Sequence, residues 1–179
     1  MQLIHTEIPV DLLRNLPEGI KVLSRHGKEY LVVERLHSSK GESLMSETVR
    51  IHGEPSIRLG VRIGETSGII FVDAFWGSHA KLYSFIPETG ADETVLDDVY
   101  VPESHTSLLV DRPCDLEGCS CKKSIELMLP EDSGVVYVCA RLGCPGHRIE
   151  LKELPKSVSE TVSRINFIGE GDDEFLFTV

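Results

Sequence analysis

From Ser56 to Gly64 apolar and polar residues alternate: Ile57, Leu59, Val61 and Ile63 are separated by Arg58, Gly60 and Arg62. A strand turns successive side chains to opposite faces, so this order predicts four aliphatic groups against a core and arginines in water. The following run, "GIIFVDAFW", is apolar on both faces and bounded by Gly68 and Gly77, which predicts a strand central in its sheet. "KLYSFIP" continues that sheet and ends at Pro87. Upstream, "IKVLSRHGKEYLVVERL" reads as two apolar runs around His26-Gly27, a hairpin signal, and "SSKGES" reads as a polar loop. A helical period precedes them: in "PVDLLRNLPEG", Val10, Leu12, Leu13 and Leu16 make a short apolar face that Pro17 and Gly19 stop.

Beyond Pro87 the pattern weakens. Residues 88–104 mix acids and turn formers with two short apolar runs, Val95-Leu96 and Val99-Tyr100-Val101, and read as a connection carrying an edge strand. "PKSVSETVSRINF" predicts a helix with Pro155 near its start, Ser157 or Ser159 as cap, and Val158, Val162 and Ile165 on one stripe. "DEFLFTV" reads as a final strand. The expected architecture is mainly β, α+β at most: an antiparallel sandwich or barrel-like sheet with two short helices and a C-terminal metal-binding hairpin. The expected division is a β domain over 1–104, a cysteine-rich module over 105–155, and a helix and strand over 156–179 that pack back on the core.

Charge narrows the partners. The net charge is -11; residues 1–110 hold 10 basic and 16 acidic side chains, 111–156 hold 7 and 8, and 157–179 hold 1 and 5. A protein that grips duplex nucleic acid displaces counterions with a basic surface, so this balance disfavours nucleic acid and favours, through steering, a basic protein partner. No apolar run reaches the roughly 18 to 20 residues of a membrane helix, and "MQLIHTEIPVDLL" lacks the basic-then-apolar order of a secretory leader. The expected compartment is the cytoplasm, where clustered thiols are metal ligands or redox groups more often than disulfides.

The chain has five cysteines, three of them in "CDLEGCSC" at 114–121. "CDLEGCSCKKSIELMLP" and "CARLGCPGHRIELKELP", beginning at Cys114 and Cys139, form a local repeat: both read Cys-x4-Cys with glycine before the second cysteine, and both then reach Ile-Glu-Leu and a proline. A further ligand type trails each pair, Cys121 in the first and His147 in the second. Two thiolates on a tight turn grip one ion only if the backbone folds back, and Gly118 and Gly143 supply the φ freedom for that. "KKSIELMLP" and "GVVYVCA" are strands joined by the turn "PEDSG", so a hairpin would bring both turns to its open end and surround one ion from two sides. Six side chains are metal candidates: Cys114, Cys119, Cys121, Cys139, Cys144 and His147. The repeat favours Cys114, Cys119, Cys139 and Cys144, with Cys121 and His147 as substitutes. Buried thiols that pack without metal are the plain alternative.

This stretch, about residues 111–152, resembles the zinc-ribbon modules, in which two cysteine knuckles joined by a β-hairpin clamp one zinc ion. Ribbons typically use Cys-x2-Cys, and both pairs here are Cys-x4-Cys, which leaves the ligand set open. "CSCKKS" followed by "CPGH" is also similar to parts of the CDGSH iron-sulfur signature, although the second half comes later here and Cys144 and His147 are one residue closer. Zn2+ is thus the expected cofactor and an iron-sulfur cluster the alternative. The first functional expectation is a structural zinc site in a protein that works through protein contacts. The second is a metal-dependent enzyme or redox protein using the cysteine cluster, and the third, zinc-dependent nucleic-acid binding.

Other groupings are weaker. Asp73, Trp76, Ser78 and His79 crowd a strand end, but Asp73 and His79 could pair only if Gly77 folded the chain back; a glycine turn beside a packed Trp76 is the expectation. Asp92, Glu93, Asp97 and Asp98 lack the spacing of a calcium loop. His5, His26, His37, His52 and His105 share no ligand spacing and read as surface or turn residues. No phosphate loop, dinucleotide fingerprint or nucleophile elbow is present.

Overall fold

The structure is a computed structural model that describes Met1, residues 7–87 and residues 93–167. Within these residues the chain forms α1 (Val10–Arg14), β1 (Ile20–Arg25), β2 (Lys28–Val33), β3 (Met45–Ile51), β4 (Glu54–Ile63), β5 (Thr66–Val72), β6 (Lys81–Tyr83), β7 (Asp98–Tyr100), β8 (Leu109–Val110), β9 (Ser124–Met128), β10 (Gly134–Cys139), β11 (His147–Leu151) and α2 (Lys156–Ser163). The fold is mainly β and every ladder is antiparallel. Strands β1 and β2 make a hairpin, β3-β4-β5-β6 a sheet that β7 joins through β4, and β11-β10-β9-β8 a second sheet. No sheet among the described residues closes into a barrel.

The two-residue turns follow from sequence. His26-Gly27 closes β1–β2 and His52-Gly53 closes β3–β4, with φ of 51° and 79° in the first and 53° and 84° in the second. Two positive φ values give the mirror-image turn whose twist matches the flanking strands, and glycine tolerates its second position without strain.

The alternation in β4 buries Ile57, Leu59 and Val61. Its other face is not simply wet. Ser56 is fully buried and donates to the Val49 carbonyl at 2.8 Å, and Gly60 lies so close to Tyr100 that a Cβ there would meet the ring at 2.4 Å. Strand β5 lies inside its sheet as its two-faced apolar pattern implies, between β4 and β6. Along the opposite edge of β4, β3 pairs residues 54–57 and β7 pairs residues 60–62. The segment read as a connection therefore contributes a strand to the main sheet.

The helices differ from expectation in detail. In α1 only Leu12 is buried; Val10 is exposed, and so is Leu16, which lies beyond the helix. In α2 Val158 and Val162 are buried as the period requires, and Ile165, just past its end, is buried with them. Neither Ser157 nor Ser159 caps it: Pro155 holds the cap position, and Ser159 Oγ is turned inward to accept the Leu151 amide at 3.0 Å. Ser163 Oγ accepts the Ile149 amide at 2.9 Å, so α2 is fastened to β11 by hydroxyls as well as by its apolar stripe. The expected strand at "DEFLFTV" lies outside the described residues, as do His5 and Asp92.

One cluster of buried side chains runs from Leu12 through the β3–β6 sheet and the β8–β11 sheet to Phe167. No helix among the described residues is long and apolar enough to cross a membrane.

Candidate metal centre

The β9–β10 hairpin pairs Cys139 with Ser124 at its open end. The first knuckle, Cys114 to Cys119, precedes β9; the second begins at Cys139, the last residue of β10, and runs to Cys144. The hairpin therefore delivers both knuckles to one place, as the repeat predicts. The backbone ties them further: the Cys114 amide donates to the Cys121 carbonyl at 2.9 Å, and the Ala140 amide donates to the Lys123 carbonyl at 3.2 Å.

Both knuckles are folded alike. The Cys119 amide donates to the Leu116 carbonyl and the Cys144 amide to the Arg141 carbonyl, each at 3.1 Å. In the first knuckle the Leu116 amide donates to the Cys114 sulfur, and in the second the Arg141 amide donates to the Cys139 sulfur at 3.5 Å. The glycines depart from this symmetry: Gly118 has φ of 84°, whereas Gly143 is not in the left-handed region, so only the first knuckle needs the freedom expected of both.

The four sulfurs of Cys114, Cys119, Cys139 and Cys144 all lie within 4.8 Å of one another. Two pairs that cross between knuckles are Cys114 to Cys144 at 3.9 Å and Cys119 to Cys139 at 3.8 Å. Sulfurs in a disulfide are about 2.05 Å apart, so these are separate thiol groups. Their environment is split. A hydrogen bond with Cys139, reinforced by the Leu116 amide, lowers Cys114 to about 5. That same contact, with burial, drives Cys139 upward, and burial first of all raises Cys144 to about 11. Four thiols this close cannot all ionise by themselves, because each thiolate disfavours its neighbours. Hydrogen bonds from the Arg141 amide and the Gly146 amide, the latter to Cys144 at 3.3 Å, place positive dipoles on the sulfurs. The Arg141 guanidinium also reaches the Cys144 sulfur.

No protein-family model, curated protein or solved structure matches the chain.

The other two ligand candidates are turned elsewhere. Cys121 is buried beside the cluster, yet its thiol donates to the Lys123 carbonyl at 3.4 Å. His147 is buried, with Nδ1 2.9 Å from the Pro145 carbonyl, Nε2 2.7 Å from the Ile165 carbonyl, and its ring edge-on to Trp76. Its ring joins the second knuckle to the chain after α2.

A residue that sequence reasoning passed over is Gly146. A Cβ built there would meet the Cys114 sulfur at 2.6 Å, the Cys144 sulfur at 3.2 Å and Leu116 Cβ at 3.5 Å. Its carbonyl accepts the Cys139 amide at 3.0 Å. "CPGH" was visible as a motif, but only the fold shows that its glycine lies against the opposite knuckle. Gly146→Ala is expected to spread the sulfurs and weaken metal retention about 10- to 100-fold, the range seen when supports around metal ligands are disturbed. Competition with a chelator of known affinity measures it.

The Asp73 group is a structural knot. Asp73 is buried, accepts from Ser78 Oγ at 2.6 Å and from the Phe75 amide at 3.0 Å, and lies 2.5 Å from His52 Nδ1. Burial raises its pKa above the usual carboxylate value against the pull of those hydrogen bonds. His52 thus stands at a turn, as expected, but its side chain is buried on Asp73 and not on the surface. His79 holds Asn166 Oδ1 at 2.6 Å, and the Trp76 indole donates to the Val162 carbonyl at 2.7 Å.

Proposed function

We propose that Cys114, Cys119, Cys139 and Cys144 hold one zinc ion in a closed, structural site, and that the protein acts through contacts with a basic protein partner. The observation that carries the metal reading is the size of the sulfur cage. Zinc–sulfur bonds of about 2.3 Å in a tetrahedron set sulfurs about 3.8 Å apart, close to the 3.8 and 3.9 Å of the two cross-knuckle pairs. An iron-sulfur cluster distributes its thiolates over two or more irons and needs a wider cage; four sulfurs within 4.8 Å favour a single ion.

Four protein sulfurs fill a tetrahedral shell, which leaves no position for water or substrate and supports a structural role over a catalytic one. Bound zinc would lower all four thiol pKa values and remove the repulsion among them. The hydrogen bond from Cys121 to Lys123 supports the view that the fifth thiol is packing, not chemistry. For the partner, the support is the net charge of -11, which draws basic surfaces and repels phosphate backbones.

Elemental analysis of protein purified without added metal is expected to give one zinc per chain and no visible absorbance. Iron in place of zinc would overturn the zinc reading, two or more irons with inorganic sulfide per chain would replace it with the cluster reading, and no bound metal would end both.

A further inference from the structure

Between the two larger sheets lies a cavity of about 90 Å³ whose walls are mostly aliphatic: Leu59 and Ile70 from one sheet, Leu127 and Val136 from the other, with Phe75 and Trp76 also in the wall. It reaches His79, Lys81, Leu142, Cys144 and Pro145, and those same residues border an outer hollow of about 330 Å³. The inner space and the outer one therefore share a rim, to which the second cysteine knuckle contributes Leu142 and Cys144. The contrast across it is chemical. The interior offers carbon, which holds water poorly and accepts an apolar occupant. The rim offers backbone carbonyls and Lys81, whose ammonium donates to the Leu142 carbonyl at 3.1 Å.

We propose that this space binds a small amphipathic carboxylate, its apolar end between the sheets and its carboxylate at Lys81. A short aliphatic chain suits an inner volume of about 90 Å³. A mostly apolar wall with a few polar groups is the usual build of a small-molecule site; Asp73, Ser78, His79, Arg141 and His147 also line this one, and the Lys81 ammonium at the shared rim is the group that would select an acid over an alcohol of equal length. The proposal goes beyond the zinc reading and does not depend on the identity of the ion.

The protein supplies its own reporter: Trp76, the single tryptophan of the chain, forms part of the wall and is 8% exposed. With the protein as purified, 6-bromohexanoate is expected to quench its fluorescence saturably, and unbrominated hexanoate to relieve the quenching. Lys81→Gln should weaken 6-bromohexanoate about ten-fold and leave 6-bromohexanol unchanged. Val138→Phe, from a half-buried wall position on β10, should abolish saturable quenching by both. Quenching that stays linear in concentration and is not relieved by hexanoate would overturn the proposal. So would saturable quenching that survives Val138→Phe in protein with native circular dichroism. If Val138→Phe does not fold, the competition on unaltered protein and the Lys81→Gln comparison decide alone.

Discussion

Cys144→Ser is expected to lose the bound metal and, with it, the order of both knuckles. Removing one thiolate leaves three sulfurs crowded around the ion and a hydroxyl too short and too poor a ligand to replace the fourth. Structural zinc binding is worth about 10 to 16 kcal/mol in small modules, as much as the whole stability of an ordinary domain, about 5 to 15 kcal/mol. The loss should be regional. Ile125, Leu127, Val136 and Ile149 belong to the same buried cluster as the β4–β5 side chains, which among the knuckle residues takes in only Leu142, so the strands retain apolar contacts of their own when the knuckles loosen. Hydrogen exchange read by mass spectrometry should show amides of 112–123 and 139–147 losing protection, while β4 and β5 keep theirs. A variant that releases metal and retains full protection at both knuckles would show that the ion does not hold them.

Acid should destabilise the native state steeply between about pH 6.5 and pH 4, and His79 should account for much of it. Burial lowers His79 from 6.5 to about 4. The sign follows from proton uptake: in that window the unfolded chain binds a proton at this ring and the native chain does not, so stability falls as pH falls. From the two values the full effect is about 3 kcal/mol at most, less what solvent at a half-buried ring screens. His147, also lowered chiefly by burial, adds in the same direction. Asp73 works the other way, because its raised pKa makes its burial less costly once it is protonated. Denaturant midpoints measured at pH 7 and pH 5 should differ clearly less in His79→Gln than in the unaltered protein. Equal differences would place the acid sensitivity elsewhere, in the cysteine cluster first of all.

What the sequence discloses about the site is local in origin. The matched knuckles announce themselves because each is a six-residue pattern repeated with a cysteine or histidine trailing it, and the hairpin between them is written in Ile125, Leu127, Val136 and Val138. The alternation in β4 and the His26-Gly27 turn are legible for the same reason: the physics acts within a few residues. What the pattern conceals is long-range. Ligand choice among six side chains depends on where Lys123, Pro145 and Ile165 put their carbonyls, for those oxygens draw away Cys121 and His147. Ser159 has the sequence of a helix cap and the duty of a strand anchor, because β11 passes within reach of it. His52 resembles a surface turn until Asp73, distant in sequence, comes to lie beneath it. Gly146 shows no sign of its constraint at all, since what it must avoid is a sulfur of the other knuckle.

The edge of β4 shared by β3 and β7 bears on how the molecule is born. Gly60 waits for Tyr100, and Arg62 for Asp98, before the second half of that edge has a partner. On a ribosome adding about 5 to 20 residues each second, several seconds separate the emergence of β4 from that of the strand that completes it. During this interval its bare amides and carbonyls form an open template for another chain. Crowded synthesis would expose this weakness sooner than any test on the finished protein.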